Sequence, residues 1–344
     1  MQNKHFKAQN HINNLIEQDY YKNLISLRNT ASCACDAYFQ NLGAPKVDLY
    51  MIAKSVSSPM GKGSYSEPIP FNLGDQHVFL VDSAQFGMEP LVQRAYKMVY
   101  CYLPSFRGED SDYRHLNQFY HCEAELRGDL YGAISTAESL VKSVLADVLI
   151  AFDKNKYKFE NSNFDSIESI INKDFIKLTF DQGVKILKSK GLGSLIESHS
   201  YGRVITTRGE MELSKYVNSG KIPFWLTHYD RDAVPFYQKP AQNSNQVLNA
   251  DLIFPSIKGS FGGEVLGLGQ RQNSKEEMLE SMKRQGIKDV NSYDWYLSMR
   301  ERKDYQSTSG FGLGIERLLA WTLNLESIID TAIYPVLKEE KVYY

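Results

Sequence analysis

The chain has 344 residues, 42% of them hydrophobic, and its 39 basic and 41 acidic residues leave a formal net charge of −2. That length is ample for a substantial core, in one large domain or two smaller ones. The near-neutral balance argues against a broad nucleic-acid-binding face and leaves room for a local basic patch.

Residues 1–19 are polar, without the apolar segment of a signal peptide, and read as a frayed extension or a short docking helix ahead of one domain, 20–344. No run approaches membrane-spanning length, so no membrane partner is expected and a reducing cytoplasm is the default. Apolar positions from Leu24 to Leu42 recur at three and four and predict an amphipathic helix over 20–42, stopped by Gly43 and Pro45. Cys33 and Cys35 lie on it; with Cys101 and Cys122 they fit neither a disulfide framework nor a zinc site. A strand is expected at 47–51. The Ser-, Gly- and Pro-rich stretch 55–76 reads as a loop, either a flap or a plain connector. A strand at 77–82 and a helix from 83 follow.

The next stretch organises the rest. Val99, Tyr100, Tyr102 and Leu103 predict one strand, and Phe119, Tyr120, Cys122 and Ala124 another, with Glu123 and Glu125 alternating on one face. Gly108, Asp110, Ser111 and Asp112 make the loop between. Beyond it come a helix at 135–152, a hydrophilic surface insertion at 153–165, a short strand and helix within 167–196, and a turn, strand and helix over 201–216. Strands at 222–227, 248–253 and 262–267, a helical stretch at 274–298 and a strand-to-helix change at 310–315 complete the chain. Short strands interrupted by helices, without βαβ alternation, predict an α+β fold with an antiparallel sheet.

Arg107, Arg114 and His115, interleaved with Glu109, Asp110 and Asp112, suit a polyphosphate and Mg²⁺ site, because guanidinium matches phosphate oxygens in a planar fork. The same pattern suits a solvated, salt-bridged hairpin, and residue chemistry alone leaves the two readings even.

Two longer stretches carry a resemblance. FRGEDSDYRHLNQFYHCEAE, from Phe106 to Glu125, resembles motif 2 of the class II aminoacyl-tRNA synthetases, most closely the asparaginyl enzymes; GFGLGIERLLAW, from Gly310 to Trp321, resembles motif 3. The resemblance runs from about residue 20 to the C-terminus and implies a class II antiparallel sheet flanked by helices. It implies ATP as cofactor, with Arg107 on the α-phosphate and reacting carboxylate, Glu109 at the adenine end, Arg114 and His115 at the outer phosphates, and Phe119 stacked on adenine. Arg317 would lie on the other side of the adenine and the γ-phosphate. Gly310, Gly312 and Gly314 would admit the nucleotide close to the backbone; Glu316 is read as structural. The block around NADLIFPS and FGGEVLGLGQR implies Asp251 and Glu264 as Mg²⁺ ligands.

For the amino acid, the resemblance implies Ser83, Gln85, Glu89 and Glu123, with Arg271 reading a side-chain oxygen; a surface arginine is the alternative for Arg271. Met88 stands where aspartyl enzymes have a lysine, which favours asparagine, or aspartate in a reversed pose. His228 is read as a substrate or proton-transfer group or as a structural histidine, and Glu210 belongs to the same rim. Motif 1 of the family implies a homodimer through 20–51. The aspartyl, asparaginyl and lysyl enzymes carry an anticodon-reading β-barrel of roughly a hundred residues, and too few residues precede this core to build one. The expectation is therefore an adenylating ligase that passes an amino-acid carboxylate to ammonia or a small amine, with tRNA the less expected partner. The alternatives are a truncated asparaginyl- or aspartyl-tRNA synthetase, a tRNA-modifying enzyme, and a non-catalytic regulatory paralogue.

Overall fold

The computed structural model describes residues 4–341 except 60, 161, 243, 244 and 258; the outermost residues of the N-terminal extension and the C-terminal tail lie outside the described residues. Helix α1 (His11–Glu17) leads into α2 (Asp19–Asn41), whose stripe Tyr21, Leu24, Leu27, Ala31, Cys35 and Phe39 is buried. The extension is docked. The backbone N–H groups of Lys4, His5 and Phe6 donate to the buried Asp330 carboxylate at 2.7, 2.9 and 2.7 Å.

The strand expected at 47–51 is absent; that segment is extended, with one bridge from Lys46 to Tyr100. Pairing starts later, at β1 (Ile52–Ala53), in a small sheet with β2 (Ile69–Leu73) and β3 (Gln76–Leu80). Strand β2 corrects the reading of 55–76 as all loop. It has no fully buried position, so its sequence lacks apolar alternation. The helix expected from 83 is one turn, α3 (Gln85–Met88), followed by a 3₁₀ turn at Glu89–Val92. Pro90, with no N–H, ends the α-helical ladder there.

Strands β4 (Met98–Phe106) and β5 (Gln118–Arg127) form the expected antiparallel hairpin, and α4 (Leu130–Asp153) follows, capped by Asp129. Most of the described residues of 153–165 lie at the surface, as expected. Tyr157 is buried and donates its hydroxyl to the Val148 carbonyl, and Phe164 stacks on Phe152 at 4.0 Å. These two rings anchor the stretch to α4, and the second opens a helix the sequence reading lacked, α5 (Phe164–Ile171). Then come β6 (Ile176–Thr179), α6 (Phe180–Ser189), the hairpin β7 (Ile196–His199) and β8 (Gly202–Ile205), and α7 (Thr207–Tyr216). The remaining elements are β9 (Phe224–Thr227), β10 (Asn249–Phe254), β11 (Gly263–Gln270), α8 (Lys275–Gln285), α9 (Asp294–Ser298), β12 (Thr308–Gly314) and α10 (Ile315–Thr322).

The main sheet has the order β4-β5-β12-β11-β10-β9-β6 and is antiparallel except for the parallel pair β6–β9. Strand alternation separates its faces. Cys122, Ala124, Phe311, Leu313, Leu266, Leu268, Ala250 and Leu252 pack with α4 and α2 in the largest core. The intervening positions make the opposite face. Among the described residues no helix is long and apolar enough to cross a membrane.

Candidate active site

On the opposite face, β5 presents Phe119, His121, Glu123 and Glu125 in alternation. Strand β12 answers with glycine: Gly314 pairs with His121, Gly312 with Glu123 and Gly310 with Glu125. A Cβ at Gly310 would fall 1.9 Å from a Glu125 carboxylate oxygen and 2.3 Å from an Arg271 nitrogen. Glycine at this position is what lets two buried side chains cross the strand.

One end of the face gathers cations. The Arg107 guanidinium lies 5.1 Å from the Phe119 ring centroid. The Asn117 amide donates to the carbonyls of Arg107 (2.8 Å) and Glu109 (2.7 Å) and shapes the loop between β4 and β5. Glu109 accepts from the Glu67 N–H at 3.0 Å, and the Gly108 N–H donates back to the Glu67 carbonyl, so Glu67 is tied to this loop. Arg317, at the start of α10, pairs with Glu264 at 3.1 Å. Arg114 is buried, donates to the Gly262 carbonyl and stacks on Phe261 at 4.5 Å.

Charge is dense here. Burial and then the like charge of Arg317 push the Arg114 guanidinium down to about 10. Burial would raise Glu264, but Arg317, Arg114 and Arg107 outweigh it and hold this carboxyl below its usual range. Burial, partly offset by Arg114, takes Glu210 up to about 7. Burial, Glu264 and Glu210 together push Asp251 well above the carboxylate range. The structure thus brings Arg107, Phe119, Arg114, Arg317, Glu264 and Asp251 together, with Gly314 beside Arg317. His115 is held by Asp112 (2.9 Å), an acid of its own turn. Glu316 is structural as read: it pairs with Arg28 of α2 at 2.8 Å and accepts from the Tyr120 N–H.

The other end is a buried polar pocket. Arg271 is 1% exposed and donates to both carboxylate oxygens of Glu125 and, at 2.7 Å, to Gln85. This disposes of the surface-arginine alternative. Burial raises the Glu125 carboxyl to about 7, against Arg271 and with help from Glu89. Glu123 accepts from the Ser83 hydroxyl (2.7 Å) and the Ala84 N–H (3.1 Å). Glu89 lies one layer behind the pocket wall, fully buried, bound by Arg300 at 2.6 Å and by the hydroxyls of Tyr296 and Tyr305. That corrects its reading as a substrate-facing group, because its oxygens are spent on a second buried ion pair. His228 sits at the end of β9, toward the far edge of the sheet, with its ring held by Thr227 at 2.8 Å. Burial alone lowers its basicity.

Sequence reasoning missed three site residues: Glu125, His121 and Ser105. The first two share the period-two register of Phe119 and Glu123, which was a usable signal; Ser105 faces His121 only through the hairpin pairing.

A family model described as tRNA synthetases class II (D, K and N) matches residues 3–338. The chain is 30% identical over 272 residues to a probable cytoplasmic asparagine–tRNA ligase of Encephalitozoon cuniculi, covering 76% of this chain and 56% of that protein. To the asparagine–tRNA ligase of Pyrococcus furiosus it is 31% identical over 268 residues, covering 76% and 57%. The chain thus spans a little over half the length of the curated relatives it matches. A crystal structure of asparaginyl-tRNA synthetase from Pyrococcus horikoshii complexed with asparaginyl-adenylate superposes with a TM-score of 0.84 at 25% identity, over 96% of this chain and 72% of that one. Taken with the antiparallel sheet and the arginines of its two motifs, the match over 3–338 means that this chain belongs to the class II tRNA synthetases of the D, K and N group.

Proposed function

We propose that this protein uses ATP to activate the α-carboxylate of an amino acid, forming an aminoacyl-adenylate and pyrophosphate. The observation that carries the reading is the cluster of Arg107, Arg114 and Arg317 around Glu264, continuous along one sheet face with the Arg271–Glu125 pocket. In the step, a carboxylate oxygen bonds to the α-phosphorus and the bond to pyrophosphate breaks. Arg107 holds the charge that grows on the α-phosphoryl oxygens, and Arg114 and Arg317 hold the leaving pyrophosphate. Phe119 stacks on the adenine.

Asp251 and Glu264 would hold Mg²⁺, which draws charge off the phosphates. The donor set fits. These are hard oxygen ligands, and Asp251 is driven toward its neutral form first by burial and then by Glu264 and Glu210, whose repulsion a divalent cation relieves. Among the described residues no three such groups converge on one point, so substrate phosphates would complete the coordination.

Asparagine is the favoured amino acid. An amide offers N–H to Glu125 and oxygen to Arg271, whereas a side-chain carboxylate would meet Glu125 with no lysine at Met88 to offset it. The relatives' names favour an RNA hydroxyl as the final acceptor over the ammonia or small amine expected from sequence. A cytoplasmic setting follows the Encephalitozoon cuniculi relative. A homodimer through the motif 1 region is supported by Tyr50 and Ile52, which are exposed and, with Trp295, line an apolar groove of about 420 Å³.

The test is ATP–pyrophosphate exchange across a panel of amino acids, with and without Mg²⁺. Exchange that needs asparagine and Mg²⁺ supports the reading; no exchange with any amino acid overturns it. Bulk tRNA and ammonium, offered separately as acceptors, then decide between RNA and amine transfer.

A further inference from the structure

His121 stands where the two ends of the site meet. It is two residues from Phe119, on the nucleotide side, and two from Glu123, on the amino-acid side, with all three on one face of β5. Its partner on β12 is Gly314, which puts no side chain over the ring, and its partner on β4 is Leu103. One ring nitrogen is occupied. Nδ1 lies 3.2 Å from a Glu123 oxygen and 2.9 Å from the Ser105 hydroxyl. Glu123 is itself immobilised by Ser83 and Ala84 and fully buried. Burial disfavours its charge, but His121, Ser83 and the Ala84 N–H more than compensate and keep it ionised. A fixed carboxylate at Nδ1 holds the proton on that nitrogen and leaves the lone pair on Nε2. The ring is also pinned edge-on against Phe119 at 4.8 Å.

We propose that Nε2 of His121 is the base that deprotonates the nucleophile attacking the aminoacyl-adenylate. The inference rests on the adenylation reading above. An adenylate lying from Phe119 to Glu125 would carry its mixed anhydride past residue 121. The acceptor's oxygen or nitrogen bonds to the carbonyl carbon, and the carbon–oxygen bond to the phosphate breaks. AMP leaves with that electron pair, and the acceptor's proton passes to Nε2. The imidazolium so formed is stabilised by Glu123, in the geometry that serves other carboxylate–histidine pairs. Ser105 and Glu123 are positioning residues. The charged groups facing the ring are Glu123 on β5 and, across Phe119, the Arg107 guanidinium; Ser105, Leu103 and Gly314 on the neighbouring strands carry no charge.

The experiment separates the two half-reactions, using the native chain and His121→Gln. ATP–pyrophosphate exchange with asparagine reads adenylation. Hydroxamate formation from a preformed enzyme–adenylate complex and hydroxylamine, in single turnover, reads transfer. Glutamine can still donate to Glu123 but accepts no proton at neutral pH. The expected result is a fall in transfer that exceeds any fall in exchange by about 10²–10⁴-fold, the usual contribution of a general base. Unchanged transfer, or an equal fall in both half-reactions, overturns the role of His121. Absence of exchange in the native chain overturns the adenylation reading itself, a result distinct from the other two.

Discussion

Arg271 and Glu125, 146 residues apart in sequence, form a two-pronged ion pair at 3.1 and 2.7 Å in which neither side chain reaches solvent. The pair crosses β12 at Gly310, and under the adenylation reading it presents one carboxylate and one guanidinium to the substrate's side chain. A site of this kind discriminates by leaving a mismatched polar group unpaired.

Glu125→Gln should therefore relax the choice between asparagine and aspartate. The variant removes the negative charge that opposes a substrate carboxylate and frees Arg271 to pair with it. The ratio of kcat/KM for asparagine over aspartate in ATP–pyrophosphate exchange is expected to fall by tenfold or more, a change of about 1.4 kcal/mol. An unchanged ratio would place side-chain recognition elsewhere.

The same carboxyl makes stability depend on pH. Its folded pKa, about 7, lies above its ordinary value of 4.5. The folded state therefore binds the proton more tightly, and stability from this group is full below about pH 4.5 and falls as pH rises toward 7. The stability of the native chain and Glu125→Gln, compared at pH 5 and pH 7.5, should show the native chain losing ground to the variant by about 2 kcal/mol. A constant difference would mean that Arg271 keeps Glu125 ionised throughout.

Gly310→Ala tests the close crossing of β12. The added Cβ would meet Glu125 and Arg271 well inside contact distance, so the pair must shift. Overpacking of this kind costs about 1–3 kcal/mol. Under the adenylation reading the KM for the amino acid should rise by more than that for ATP, because Gly310 lies at Glu125 and Arg271 whereas Gly314 lies beside Arg317. Equal effects on both would make the substitution a general disruption.

Asp330→Ala should release the N-terminal segment. Three backbone N–H groups lose a charged acceptor, and each buried, unsatisfied donor costs about 1–3 kcal/mol. Hydrogen exchange should speed up over residues 4–17 and in the contacting stretch 328–334, while β10 and β11 stay protected. Unchanged exchange over 4–17 would show that His11, Tyr20 and Tyr21 hold the segment without it.

How much was legible follows from the range of each interaction. Alternation along 118–127, the three glycines at 310, 312 and 314, and the apolar stripes of α2 and α4 are local patterns, and they determined the hairpin, the strand-to-helix change at 314 and the two helices that back the sheet. The cationic residues were legible through the resemblance of their two motifs to a family, since residue chemistry alone left a salt-bridged hairpin equally open. The segments misread lacked a local apolar pattern: β2 pairs with its neighbour β3 across a short turn but has no buried position, and α5 follows a hydrophilic stretch that Tyr157 and Phe164 anchor to α4.

By itself, then, the sequence determined the two faces of the hairpin and the kinds of group the site would contain, because side-chain direction in a strand is a property of neighbouring residues. Only the tertiary structure decided how those groups are paired. Glu89 and Glu125 are chemically equivalent in sequence, yet Glu89 is closed off by Arg300, Tyr296 and Tyr305 while Glu125 meets Arg271 at the pocket. Strand register and the packing of α9 behind the wall settle that difference. A buried carboxylate takes its partner from whichever cation the fold brings within hydrogen-bonding reach, because leaving it unpaired costs several kcal/mol.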